Sequence, residues 1–234
     1  MATDSIDKLS PSGASSDEGR PDMVATHLRS PNRVEFVSDG VFAIVMTILV
    51  LEIKVPHNLS HDSFRRALAE LRPTMAAWII SFLMTGMFWV AHRDIFARVR
   101  YVNRDLVWLN LLFLLPVALL PFAASVLGEY PSDRVALQLY GVVAIAVSVL
   151  RFVVYWYVVR RPRLLWPQEG HRRLEEGFLL GALPIGVYLV AVLVAFISSL
   201  ASILLLFSVP VVYFLAVTIA RERGGSDSEA DEFS

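Results

Sequence analysis

Arg33, Ser38 and Asp39 are the residues of this chain whose type and place could do chemistry. They open the stretch RVEFVSDGVFAIVMTILVLEIKV, residues 33–55, which after Asp39 is nearly free of polar side chains until Glu52. An ionised Asp in hydrocarbon costs several kcal/mol, so such a residue persists mainly where it is paired or functional. A guanidinium, a hydroxyl and a carboxylate within seven positions can make strong hydrogen bonds to partners on other helices, and can hold a helix in one orientation.

Helical spacing separates these groups from the apolar residues that follow. At about 100° per residue, Ile44, Ile48 and Leu51 fall within roughly 60° of one another. Thr47 flanks that stripe, and Val37 and Val55 extend it. On the same count Asp39 lies about 140° from Ile44, and Ser38 about 120° away on the other side. A helix with a polar anchor at one end and an apolar stripe beyond it is expected to line a pore. The stripe then faces the axis, and Ser38 and Asp39 face the protomer's own bundle. A ring of carboxylates around the pore would need Asp39 on the stripe, and this geometry does not put it there. Asp39 reads instead as part of a buried polar network, with Arg33, Trp89, His92 and Asn110 as candidate partners. His92 and Asn110 sit near the ends of their own helices, at about the depth of Arg33 through Asp39.

The other chemistry-bearing residues suggest less. His57 and His61 stand four apart, but two loop histidines without further ligands point to no metal site. There is no cysteine, and neither HExxH nor GxSxG occurs, so an intramembrane enzyme is not expected. Arg98, Arg100 and Arg104 read as positive-inside residues before they read as a lipid or nucleotide site. No cofactor and no nucleic-acid partner is indicated.

The elements that must position these residues follow from composition. With 56% hydrophobic residues and a mean hydropathy of +0.57 in 234 residues, the chain is too apolar for an ordinary soluble domain. Six spans can be marked at 34–55, 74–92, 105–125, 135–159, 175–197 and 201–220. The fold class expected is an all-α membrane protein with a six-transmembrane-helix bundle over 33–220. Residues 1–32 are polar, lack the apolar core of a signal peptide, and are expected to be a disordered cytoplasmic tail. Residues 221–234 are expected to be a disordered acidic tail. With the N-terminus inside, the inner segments hold fifteen Lys or Arg and the outer ones five, so both termini are expected in the cytoplasm of a plasma-membrane protein.

Local signals refine the spans. Asn32 with Glu35 three residues on suggests a capping box, and Pro56 should end the first helix. Phe64, Ala67, Leu68 and Leu71 recur at helical spacing, as in a short amphipathic helix on the outer surface. Pro116 and Pro121 predict a bend in the third span. Arg151 reads as a snorkelling arginine. Gly177, Gly181, Pro184 and Gly186 form a small-residue face on the fifth helix, and the SSLAS link makes helices five and six an antiparallel hairpin.

The run R-V-E-F-V-S-D-G-V-F-A-I-V-M-T-I-L-V-L at 33–51 resembles the first-helix signature of the transmembrane protein 175 family of potassium channels, whose motif reads Arg, three residues, Phe-Ser-Asp. Arg33, Ser38 and Asp39 keep their places, while Val37 stands where the family has Phe. The resemblance continues through WVAH at 89–92, Asn110 and LLPVALLPF at 114–122. It implies a single-repeat bacterial member in which four copies surround one pore lined by the first helix. The family's hydrophobic constriction falls on Ile44, Ile48 and Leu51, with Thr47 supplying a hydroxyl, and Arg33, Ser38 and Asp39 hold that helix in place. The partners implied are potassium ions, the bilayer and the chain itself as a homotetramer. A second reading, a small secondary transporter using the Arg/Asp/Asn/His network, rests on the prolines of helices three, five and six, although no matched pair of interrupted helices is evident.

Overall fold

The computed structural model describes residues 30–54, 60–167 and 171–232, with side chains at 61–62, 171–180 and 216–232 left aside. Nearly all of the described chain is helix: α1 Asn32–Leu51, α2 His61–Glu70, α3 Arg72–Phe96, α4 Arg104–Ala118, α5 Leu120–Glu129, α6 Arg134–Val159, α7 His171–Val194 and α8 Ser199–Glu232. Four stretches among the described residues are long and apolar enough to cross a membrane: 32–51, 63–96, 104–129 and 134–159. Gly181–Val194 and Ser199–Leu215 are shorter apolar helices. The six expected spans therefore map onto α1, α3, α4 with α5, α6, α7 and α8.

The structure refines the sequence reading at both ends of α1, in the third span and at the joint of α2 with α3. α1 starts on a Pro31 cap, whose carbonyl accepts from the Val34 and Glu35 amides at 2.8 and 3.0 Å. Asn32 is inside the helix, its side chain turned back to the Ser30 hydroxyl at 2.7 Å, so the capping box does not form. α1 ends at Leu51 with Glu52 as its last cap, before the Pro56 expected to stop it, which lies outside the described residues. The third span breaks at Leu119, between Pro116 and Pro121, where the ring of Pro121 removes an amide from the ladder. α2 takes the place expected for the amphipathic helix, with Ala67 buried and Phe64 and Leu68 exposed, but a single joint residue, Leu71, runs it directly into α3.

Strong caps set α4 and α6. The Asn103 side chain accepts from Leu106 N at 3.0 Å. Asp133 Oδ1 accepts from Val135 N at 2.7 Å and Ala136 N at 3.2 Å. Such caps satisfy amides that the first turn of a helix leaves unpaired. α7 and α8 form the expected hairpin, and across it the Ser202 hydroxyl donates to Ala191 O at 2.8 Å. Helical backbone then continues in α8 to Glu232, through residues that composition assigned to an irregular tail; extending a helix already formed adds one bond for each residue fixed.

The bundle closes around α6, which packs against α4, α5 and α7, while α3 packs against α1, α5 and α8. Its core is aromatic and aliphatic, with Phe42, Met84, Phe88, Phe113, Tyr140 and Tyr188 fully buried. Close approach occurs at Gly141 of α6, where a Cβ would collide with Val192 Cγ2 of α7. The sequence placed that role on α7 instead. Of its small face, Gly181 is buried against Phe152 and Arg151, Gly186 has open space, and the Gly177 side-chain position is outside the described set. Arg151 does not snorkel outward: it is 8% exposed and donates through Nη2 to Gly181 O at 3.0 Å. At the arginine-rich end the turn after α3 is pinned to the one after α6, with Arg100 N donating to Leu164 O at 2.7 Å and Trp166 N to Arg98 O at 3.2 Å.

Candidate functional site: the two faces of the first helix

α1 presents one face to its own bundle and leaves the other exposed among the described residues. Ser38, Phe42, Val45 and Leu49, spaced by four, three and four, are its buried residues. Ile44 is 58% exposed, Ile48 39% and Leu51 70%, with Thr47 and Val37 also exposed. The periodicity argument thus placed Ser38 inward and Ile44, Ile48 and Leu51 outward as found, while Asp39, expected inward and buried, is exposed. The Thr47 hydroxyl donates back to Ile44 O at 2.8 Å, which quiets its polarity within the helix. Beside the stripe, Ile44, Ile48 and Glu52 line one wall of a groove of about 480 Å³, and Ala118, Pro121, Phe122 and Ser125 of α4 and α5 line the other.

The inward face is held by a chain of hydrogen bonds that crosses three helices. The Ser38 hydroxyl donates to Val34 O at 2.8 Å and accepts from Asn110 Nδ2 at 2.9 Å. Asn110 Oδ1 lies 2.7 Å from His92 Nε2. With the amide nitrogen of Asn110 committed to Ser38, its oxygen must accept, so the geometry assigns the proton to Nε2 of His92. All three residues are buried. The imidazole sits among rings, stacked on Phe113 at 5.1 Å and on Phe96 at 4.6 Å, with Phe42 tilted at 6.0 Å. In a medium with no water to compete, each of these polar groups needs the others.

Asp39 belongs to a separate contact. Its Oδ1 accepts from Trp89 Nε1 of α3 at 2.8 Å, at the edge of the bundle, and Arg93 lies over the same indole with its Cζ 5.9 Å from the ring centroid. The single network expected from the sequence is therefore two: Ser38–Asn110–His92 in the interior, and Asp39–Trp89 outside it. Arg33 joins neither. It is exposed, makes no hydrogen bond or ion pair among the described residues, and lines a cleft of about 740 Å³ with Asn103, Arg104 and Asp105. Its side chain at the very start of α1 is one turn too early to reach His92 or Asn110. At the departure from the family motif, Val37 and Phe36 are both exposed, so neither packs an aromatic inside the protomer.

Sequence reasoning missed the aromatic cage of Phe42, Phe96 and Phe113 around His92. The signal was present in part, because Phe42 follows Ser38 by one helical turn on the same face. Among the described residues no group of three or more His, Cys, Asp or Glu side chains could hold a metal.

Fold and site together define a multi-pass α-helical membrane protein whose first helix is anchored by polar contacts on one face and bare on the other. The family model described as the endosomal/lysosomal potassium channel TMEM175 matches residues 33–121, which include every residue of both polar contacts. A potassium channel of Streptomyces collinus is 36% identical over 179 residues, 74% of this chain and 85% of that protein. A potassium channel of Chamaesiphon minutus is 33% identical over 176 residues, covering 73% and 87%. The crystal structure of a lysosomal potassium-selective channel TMEM175 homologue from Chamaesiphon minutus superposes with a TM-score of 0.70 at 30% identity, covering 79% of this chain and 96% of that one. The chain belongs to the TMEM175 family.

Proposed function

We propose that the protein is a potassium channel whose pore is lined by α1 at the axis of a homotetramer, with a constriction formed by Ile44, Ile48 and Leu51 and flanked by Thr47. The observation that carries this reading is the two-faced α1: Ser38 is tied into the protomer's interior, while the aliphatic stripe of Ile44, Ile48 and Leu51 stays exposed among the described residues. The two bacterial relatives and the solved structure reported above, each named a potassium channel, support the choice of ion, whereas the human relative, 28% identical over 196 residues, is named a proton channel. The protein sits in the plasma membrane with both termini cytoplasmic, a reading supported by the arginine-rich turns after α3 and α6 lying at one end of the bundle. Ser38, Asp39, Trp89, His92 and Asn110 are positioning residues for α1 and do not touch the ion.

An aliphatic neck cannot ligate a cation as a ring of carbonyls does. Passage requires partial loss of hydration water, and potassium holds its water less tightly than sodium. The neck therefore favours potassium modestly, and drying of the same neck closes it. The chain carries no regular ladder of arginines on a spanning helix, and the conductance is leak-like. The transporter alternative gains nothing from the prolines of α7 and α8, which sit within continuous helices.

The test is cation flux into liposomes holding the purified full chain, under potassium and then sodium gradients, for wild type, Ile44→Asn and Leu51→Asn. Flux that favours potassium, with Asn variants that conduct more or discriminate less, is the expected result. Flux indifferent to both substitutions refutes the neck on α1, and saturable uptake coupled to a second ion refutes the channel.

A further inference from the structure

One charge on α1 is left over by its polar contacts. Arg33 stands in the first turn, exposed, with no hydrogen bond or ion pair among the described residues. Because α1 runs unbroken from Asn32 to Leu51, its side chains can be counted around one axis. Arg33 and Leu51 are eighteen residues apart, five whole turns at about 3.6 residues per turn, so they share one angle. Ile44 lies only about 20° from that angle, and Val37, exposed one turn after Arg33, about 40°. Arg33 thus belongs to the aliphatic stripe, which it opens about 27 Å along the axis from Leu51.

The neighbouring charges do not share that line. On α1, Glu35 and Asp39 are turned about 160° and about 120° from Arg33, and Asp39 is engaged by Trp89. On α4, Arg104 and Asp105 line the cleft of about 740 Å³ beside Arg33, one of each sign, and Asp105 accepts from the Tyr157 hydroxyl at 3.0 Å. Earlier in the chain the nearest carboxylate is that of Asp22, eleven positions before Arg33.

We infer that Arg33 is a pore-mouth residue whose guanidinium, repeated in four copies, forms a positive ring at the arginine-rich entrance and makes the cation current unequal in its two directions. The inference rests on the homotetramer with α1 at its axis proposed above. A guanidinium offers no acceptor and keeps its charge, so it neither ligates a cation nor titrates away. It acts by lowering the local concentration of cations at one mouth. Current that starts from that mouth is depleted, whereas the supply of cations at the Leu51 end is untouched. Salt controls the effect, since a charge reaches over about 30 Å at 0.01 M ionic strength and only about 3 Å at 1 M. An arginine that merely anchors a helix end among headgroups makes no difference to the direction of current.

The experiment records single channels of the full chain in planar bilayers, in symmetric potassium at about 10 mM and at about 1 M. Each channel reports the ratio of its two current directions, so random insertion does not blur the reading. Wild type is expected to show a ratio of about threefold at the lower concentration, falling to near one at the higher. Arg33→Gln should bring the ratio near one at both, Arg33→Lys should keep it, and Arg160→Gln, at the end of α6, should leave it as in wild type. Should Arg33→Gln fail to fold, the salt dependence of wild type decides alone. A wild-type ratio that is the same at both concentrations overturns the inference. A conducting channel that responds to Ile44→Asn and Leu51→Asn while its ratio ignores Arg33→Gln overturns the ring and spares the pore, whereas absence of cation current sinks both.

Discussion

Replacing Asn110 by Ala tests whether the interior hydrogen bonds hold α1 in place. The substitution removes both bonds of the amide, the 2.9 Å donation to Ser38 and the 2.7 Å acceptance from His92. The two partners do not suffer equally. Ser38 still donates to Val34 O, 2.8 Å away, so its hydroxyl stays satisfied. His92 is 2% exposed and caged by Phe42, Phe96 and Phe113, so its Nε2–H has no other acceptor within reach. A buried donor left unpaired costs about 1–3 kcal/mol. The Ser38 bond adds about 0.6 kcal/mol, the average for interhelical hydrogen bonds in membrane proteins. The total is about 2–3 kcal/mol, most of it on the histidine, and at about 3 °C per kcal/mol for a chain of this size the midpoint falls by about 6–9 °C. Thermal unfolding in detergent reads the loss. A double-mutant cycle with His92→Phe, which keeps the ring stacking and removes the donor, separates the two bonds. Most of the cost of Asn110→Ala should vanish in the His92→Phe background, because no orphaned donor remains there. Equal costs in both backgrounds would refute the assignment of the penalty to His92, and a loss below about 0.5 kcal/mol would refute the network as an anchor.

Asp39→Asn keeps an oxygen for Trp89 Nε1 and should leave the midpoint within about 1 kcal/mol of wild type, whereas Asp39→Leu should cost more and loosen the indole, seen in its fluorescence. Gly141→Ala should destabilise by about 1–3 kcal/mol through overpacking, and Val192→Ala in the same chain should restore much of it, a rescue that thermal unfolding detects. Tyr140→Phe removes the 3.0 Å bond to the Ser81 hydroxyl in the core, at a cost of about 1 kcal/mol in the same assay.

The faces of α1 were legible from the chain alone because they depend on rotation about a single axis. Ser38 inward and Ile44, Ile48 and Leu51 outward follow from counting 100° steps, whatever the neighbouring helices do. The choice of partners was not legible. That Asp39 reaches Trp89 while Ser38 reaches Asn110 depends on the tilt and register of α3 and α4 against α1, which no periodicity encodes. Arg33 is a different case: it shares α1 with Asp39 but stands six residues before it, nearly two turns, too far along the helix to pair with it, and that separation was legible in the sequence. Close approach at Gly141, one glycine in an otherwise bulky helix, was overlooked in favour of the glycine-rich α7 because the facing residue, Val192, decides which glycine matters. Proline chemistry, by contrast, is local, and the break between Pro116 and Pro121 was foreseen.

Both polar anchors of α1 lie in its N-terminal half, at Ser38 and Asp39, and beyond Phe42 the described contacts that attach it to the bundle are apolar, at Val45, Met46 and Leu49. Mechanically it is a rod clamped at one end. Leu51 stands about 18 Å along that rod from the clamp, so a swing of only about 10° displaces it by about 3 Å, at 1.5 Å of rise per residue. The groove of about 480 Å³ between the unclamped half and α4 and α5 leaves room for that swing. In the homotetramer proposed above, four such rods moving together would change the aperture by twice the displacement of each, from a width that water deserts to one that it fills.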